Sequence, residues 1–253
     1  MEYPFDALHA GIESQILNLP AGIPDSQAIR QAKSLPDSVE KFCALGKALS
    51  RQLRYREAVA AYTEGLKLEP ENLSLLRLRA GRYLTTLQSD PAIADFEKCL
   101  TLGAEKLDCL YRIGLAQYYA GRYEQAMEAF EGCMPLCDDE MGIAVLYWHT
   151  LSAVRTEKAP TLLKYYRPEM AVGHHTAYEK SMQVWSGTTP LAAALEMLER
   201  EEDDLEYGIT LYGLLWHPDC AERERLSQML LRRDGFWPSF AYLAAWKDRA
   251  GTQ

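Results

Sequence analysis

Residues 39–72 read VEKFCALGKALSRQLRYREAVAAYTEGLKLEPEN, and the same order of small and large side chains returns without a gap in residues 73–106 and 107–140. A fixed period of 34 residues indicates a repeat architecture, in which every repeat is one supersecondary unit. The matched columns hold Gly46, Ala80 and Gly114; Ala58, Ala92 and Ala126; Tyr62, Phe96 and Phe130; and Gly65, Cys99 and Cys133.

In each segment the spacing of apolar residues predicts two amphipathic helices, A and B. A small residue in the middle of A and another early in B let the two helix backbones approach closely. The aromatic residue on B then fills the space beside them, and a third small residue makes room for the next repeat. One helix pair cannot bury its apolar face alone, so the pattern predicts stacked pairs that share a core.

These columns resemble those of the tetratricopeptide repeat family. The first segment carries the resemblance through Phe42, Leu45, Gly46, Leu49, Ala58, Tyr62, Gly65 and Pro70, and the third through Leu110, Ile113, Gly114, Tyr123, Ala126 and Phe130. The second segment departs from the family pattern with Arg79 at an apolar column and Ala104 at the proline column. The resemblance implies an all-α fold, a right-handed solenoid of antiparallel helix pairs with about five to six repeats, the last of them degenerate.

The sequence predicts three parts along the chain. Residues 1–37 are expected to form N-terminal capping helices and loops, residues 38–140 three regular repeats, and residues 141–253 degenerate hairpins with a C-terminal capping helix. The helices expected in the last part span 141–154, 160–166, 174–186, 190–202, 203–216, 219–233, and 238 to 250.

Composition and charge exclude several classes of function. The net charge of −9 opposes binding to nucleic acid and to an anionic membrane surface, because both need a basic excess. No apolar run approaches the roughly 20 residues that cross a bilayer. The first residues lack the pattern of a signal peptide, so the six cysteines are interpreted as free thiols in a reducing cytoplasm.

The family resemblance implies that A helices line a groove that binds a protein or peptide partner. The groove positions carried over to this chain are Lys47, Arg51, Arg77, Tyr111, Arg112, Leu115, Tyr118, Tyr119 and His149. Arginine pairs with carboxylates through a bidentate fork, and tyrosine offers a broad amphipathic contact, so the pattern predicts a partner with acidic and apolar character. The alternative is that the cations balance nearby acidic residues on a solvated face.

Some members of the family bind the C-terminal carboxylate of chaperone tails through a clamp of lysine, asparagine and arginine residues. This chain departs from that clamp. Cys43 replaces the first lysine, Lys47 and Leu78 replace the two asparagines, and Asp108 replaces the second lysine. Since Arg112 alone fits, chaperone-tail binding of that kind is not expected.

Two clusters of cysteine and histidine could be reactive, but structural roles explain both better. Cys133 and Cys137 lie on one helical face and, with Cys109 or His149, could begin a soft metal site, but Cys133 occupies a buried column and behaves as a small hydrophobe. Cys220 lies near His217, yet no third group orients the pair and no oxyanion hole is evident. No metal or cofactor is therefore predicted.

The sequence thus favours a non-enzymatic, cytoplasmic adaptor or scaffold. Two alternatives stay open: a sensor that changes shape on binding a signalling peptide, and an enzyme that uses the second half of the chain. Self-association through the groove is also left open.

Overall fold

Thirteen α-helices and no strand make up residues 24–250, the part of the chain that the computed structural model describes. The predicted all-helical fold is confirmed. The helices are α1 (Gln27–Ser34), α2 (Val39–Arg51), α3 (Tyr55–Leu68), α4 (Leu73–Thr85), α5 (Ser89–Thr101), α6 (Lys106–Tyr119), α7 (Tyr123–Cys133), α8 (Asp139–Arg155), α9 (Thr176–Trp185), α10 (Leu191–Leu198), α11 (Asp204–Leu215), α12 (Arg223–Leu231) and α13 (Phe240–Ala250). Of the predicted N-terminal capping segment, residues 1–23 lie outside the described residues, and α1 supplies one short helix.

The chain divides into two compact units, the first ending at Ala116 within α6 and the second beginning at Gln117. In the first unit, consecutive helices pack as antiparallel pairs: α2 on α3, α3 on α4, and α4 on α5. The division of the chain at residues 37 and 140, the handedness and the number of repeats stay predictions.

Side-chain caps begin many of these helices at the positions that polar residues mark. Ser38, Asn72 and Asp138 each accept a hydrogen bond from a backbone N–H in the first turn of α2, α4 and α8. The helix α5 is an exception. Ser89 is its first helical residue, so Ser89 does not cap it, and its first turn has no side-chain cap.

The repeat columns form the core of the first unit as the sequence predicts. Gly46 on α2 lies directly against the ring of Tyr62 on α3, and a Cβ atom there would overlap that ring. Gly65 in turn faces Leu75 of α4, which leaves room for the next helix pair. The small and aromatic columns are buried: Ala58, Ala80, Ala92, Tyr62, Phe96 and Cys99 in the first unit, and Ala126, Phe130 and Cys133 in the second.

Arg79, which stands in an apolar column, is accommodated by a buried ion pair. Its Nε and Nη2 donate to the two carboxylate oxygens of Asp95 on α5 at 2.7 and 2.8 Å, and its Nη1 donates to Thr63 Oγ1 at 3.2 Å. The side chains of Arg79 and Asp95 are only 18% and 10% exposed. The departure from the family pattern therefore has a partner on the facing helix.

The second unit is built around α8 and α11, whose buried stretches cover 142–153 and 207–215. Helices buried all round belong to the interior of a fold. The predicted helix over 160–166 is corrected: this segment forms a 3₁₀ helix, Thr161–Tyr165. Pro160 and Pro168 flank it, and so short a segment between prolines does not sustain an α-helix.

Substituting Gly46→Ala tests the close approach of α2 and α3. The methyl group must push the Tyr62 ring aside, so the free energy of unfolding should fall by about 1–3 kcal/mol despite the better helix propensity of alanine. Gly81→Ala is the matched control, because nothing lies within 4 Å of a Cβ there. That variant should be unchanged or more stable by up to about 1 kcal/mol. Equal urea midpoints for the two variants would contradict the packing argument.

Substituting Arg79→Ala should lower the free energy of unfolding by about 3 kcal/mol, since it leaves the buried Asp95 carboxylate without its cation. The double variant Arg79→Met/Asp95→Leu should recover most of that loss, because an apolar pair of similar volume needs no compensation. Urea denaturation of both variants measures the difference. A double variant as unstable as the single one would show that the ion pair is not the cause.

Candidate functional site

A groove of about 810 Å³ opens on the first unit between its A helices, α2, α4 and the start of α6. We call it the basic groove. It is lined by Lys47, Ser50, Arg51, Tyr62, Leu73, Ser74, Arg77, Leu78, Gly81, Arg82 and Arg112. Five of these side chains are cationic, although the chain as a whole carries a net charge of −9.

Helical spacing brings the lining residues to one face of each A helix. On α4, Ser74, Leu78 and Gly81 follow at intervals of four and three residues, which stay on one face of a helix. On α2, Lys47 and Arg51 are four residues apart. The core columns lie on the other faces of these helices. The groove is therefore lined by side chains that the packing between helices does not bury.

Asp108, in the first turn of α6, joins two of the cations. Arg77 Nε donates to Asp108 Oδ2 and Arg112 Nε donates to Asp108 Oδ1, both at 2.9 Å. Burial opposes ionisation of Asp108, but the hydrogen bonds and charges of the two guanidinium groups outweigh it and lower the pKa of the carboxyl group. The site therefore holds an ionised carboxylate between two arginines.

Arg82 is not among the groove positions predicted from the sequence, but in the structure it lines the basic groove. Its guanidinium group lies 4.7 Å from the centre of the Tyr55 ring on α3. A cation over an aromatic face is held by the charge distribution of the ring. The helical pattern gives no sign of this contact, because Tyr55 belongs to the neighbouring B helix.

The predicted site residues separate into two groups. Lys47, Arg51, Arg77 and Arg112 line the basic groove together. The others are buried, with exposures of 8% or less: Tyr111, Leu115, Tyr118, Tyr119 and His149. Contrary to the prediction, this second group does not line the basic groove; Tyr118 and Tyr119 instead line a smaller cavity of about 230 Å³ in the second unit.

Tyr118 and Tyr119 are taken up by the core of the second unit. Tyr118 shares a hydrogen bond of 2.8 Å with the hydroxyl of Tyr212 on α11, and its ring meets that of Trp148 edge to face at 5.1 Å. Tyr119 donates to the backbone carbonyl of Phe240 at 2.9 Å. Their hydroxyl groups are thus engaged by helices that come much later in the sequence.

His149 is fully buried in α8. Its Nε2 lies 3.4 Å from Glu131 Oε1 and 3.4 Å from Thr161 Oγ1, and within residues 24–250 its Nδ1 has no hydrogen-bond partner. Burial lowers the pKa of His149, and the nearby Glu131 offsets this only in part. The side chain is a neutral core residue at neutral pH.

The described part of the chain favours structural roles for the candidate reactive cysteines. No group of three or more His, Cys, Asp and Glu side chains among residues 24–250 could hold a metal ion. Cys220 is buried, and burial raises the pKa of its thiol, which opposes formation of the nucleophilic thiolate. Of the helices described, none has the length and apolar character needed to cross a membrane.

The family model of the tetratricopeptide repeat matches residues 42–72 and 107–136, which fall in the first and third of the 34-residue segments. These two segments are tetratricopeptide repeats. The helices that line the basic groove are the A helices of the 34-residue segments.

Several known tetratricopeptide proteins are similar to this one. Small glutamine-rich tetratricopeptide repeat-containing protein 2 of Saccharomyces cerevisiae is 25% identical over 137 residues, which are 50% of this chain and 40% of the relative. The heat-shock protein cognate co-chaperone sgt12 of Aspergillus fumigatus is 28% identical over 107 residues, 42% of this chain and 31% of the relative. The matches thus span less than half the length of these relatives.

Among solved structures, MamA AMB-1 matches with a TM-score of 0.51 and 16% identity. The match covers 72% of this chain and 99% of that chain. At this identity the likeness concerns the fold alone.

Protonation of His149 should make the stability of the protein depend on pH. In the unfolded chain the imidazole has a pKa of about 6.5. In the folded chain the pKa is lower, so the unfolded state binds the proton first and stability falls as the pH drops below that value. Between about pH 7.5 and pH 5.5 the loss from this one group should reach about 1 kcal/mol.

Urea midpoints at both pH values measure this loss in wild type, His149→Gln and His174→Gln. The first variant should show a smaller loss on acidification. The second is the control, because His174 is 82% exposed and should leave the loss unchanged. An undiminished pH dependence in His149→Gln would contradict the assignment.

Proposed function

We propose that this tetratricopeptide repeat protein is an interaction module that binds an acidic, partly apolar segment of another protein in the basic groove. The observation that carries the proposal is the convergence of five cationic side chains from three successive A helices on one open groove.

The size and lining of the groove fit a short peptide segment. Its volume of about 810 Å³ exceeds that of a single side chain. Leu73 and Leu78 give it apolar walls, and Ser74 adds a hydroxyl group. Guanidinium groups bind carboxylates in a planar, bidentate way, which favours Asp and Glu side chains of the partner.

The names of the relatives support an interaction role. Sgt12 is named a co-chaperone of a heat-shock cognate protein, and a further relative, from Triticum aestivum, is named Hsp70-Hsp90 organizing protein and is 28% identical over 86 residues. That match covers 34% of this chain and 15% of the wheat protein. Because Asp108 stands where the chaperone-tail clamp has a lysine, we propose a different acidic partner for this chain.

A labelled ten-residue peptide in which glutamate and leucine alternate tests the proposal. Wild type should bind it and should not bind the same peptide with lysine in place of glutamate. The variant Arg77→Glu/Arg112→Glu should bind the acidic peptide at least about tenfold more weakly, because two attractive contacts become repulsive. Fluorescence anisotropy at fixed salt gives the dissociation constants, and circular dichroism confirms that the variant is folded.

Two further variants make the test specific to the groove. Lys47→Glu/Arg51→Glu reverses two lining charges on α2 and should also weaken binding. Arg200→Glu/Arg225→Glu reverses two exposed charges of the second unit and should leave binding unchanged. Equal binding by all variants, or tighter binding of a single-stranded oligonucleotide than of the peptide, would contradict the proposal.

A further inference from the structure

The geometry points to a specific role for Asp108: we propose that it is a positioning residue, which holds Arg77 and Arg112 side by side so that both present their terminal N–H groups to a carboxylate of the bound segment. This inference rests on the proposed function, since it concerns how the basic groove receives an acidic partner.

One carboxylate holds both guanidinium groups through the same atom of each. Arg77 and Arg112 use their Nε atoms, and each takes a different oxygen of Asp108 at 2.9 Å. Within the part of the chain that the structure describes, these two are the hydrogen bonds that the guanidinium groups make. A guanidinium group has five N–H donors, so the four on the Nη atoms of each arginine stay available to a ligand.

The exposed fractions of the three side chains indicate that the carboxylate lies deeper than the two cations. Asp108 is 20% exposed, whereas Arg112 is 32% and Arg77 57% exposed. A ligand that enters from solvent therefore meets the Nη atoms before it meets the acid. Asp108 lies in the first turn of α6, where the positive end of the helix favours a negative charge.

The position of Asp108 is itself fixed by hydrogen bonds at the start of α6. The side chain of Glu105 accepts hydrogen bonds from the N–H groups of Leu107 and Asp108, which closes the start of α6. Arg77 comes from α4, so Asp108 ties together the side chains of two successive A helices. The pair is thus arranged before any partner arrives.

Two effects of Asp108 oppose each other, which makes the proposal testable. Its negative charge repels an acidic ligand, so electrostatics alone predicts that removing the charge tightens binding. Its hydrogen bonds restrict two long side chains, which would otherwise lose rotamer freedom when the ligand binds. We expect the second effect to dominate, because the ligand meets the Nη atoms directly and the carboxylate lies deeper.

The experiment compares wild type with Asp108→Asn, using the alternating glutamate–leucine peptide as the probe. We expect the variant to bind about tenfold more weakly, or about 1.4 kcal/mol, although its groove is more positive by one charge. In an Arg77→Gln/Arg112→Gln background the same change should no longer weaken binding. Asp219→Asn, at an exposed site of the second unit, is the control for charge and should leave the dissociation constant unchanged.

A second readout needs no ligand. Nitrogen-15 relaxation of the arginine Nε–H groups should show ordered side chains for Arg77 and Arg112 in wild type and mobile ones in Asp108→Asn. Tighter or equal peptide binding by Asp108→Asn, or unchanged order of the two arginines, would overturn the positioning role while leaving the proposed function intact. No binding of the peptide by wild type would overturn both.

Discussion

The close contact between Gly46 on α2 and the Tyr62 ring on α3 is the constraint on which the first unit depends. The Tyr62 ring occupies the space that a side chain at position 46 would need, because protein interiors are close-packed. Gly65 has the same role toward α4: Leu75 occupies the space that a side chain on Gly65 would fill. Each helix pair thus positions the next one through a small residue opposite a large residue.

This packing decides which side chains remain for a partner. On each A helix, the residues that face the B helices are buried in the core, and residues on the opposite face line the basic groove. Arginines occur in both places, but their surroundings differ. Arg79 is matched by a carboxylate of the facing helix in a buried pair, whereas Arg77 shares the carboxylate of Asp108 with Arg112 and remains open to solvent. The same residue type therefore supports the fold in one position and lines the proposed binding surface in the other.

The second unit uses its aromatic residues differently. Tyr118 packs edge to face against both Trp148 and Tyr212, and a chain of hydrogen bonds runs from Tyr118 through Tyr212 to Asp248 on α13. Aromatic pairs in such geometry stabilise beyond the area that they bury. A helical pattern places Tyr118 on one face of α6, but the same pattern is compatible with an exposed binding wall and with a core. In this unit the face is core.

The repeat columns by themselves determined the all-helical fold and the helix pairs, because these follow from the local spacing of side chains along each helix. The cationic half of the groove was predicted from the family resemblance that those columns carry. Tertiary structure alone decided the burial of Tyr118 and Tyr119, whose partners Tyr212 and Phe240 lie 94 and 121 residues further along the chain. It likewise decided that Arg82 reaches the groove over Tyr55 and that Asp108 joins two arginines. The physical reason is that periodicity identifies the face of a helix on which a side chain lies, whereas the neighbour that covers or holds it comes from another element.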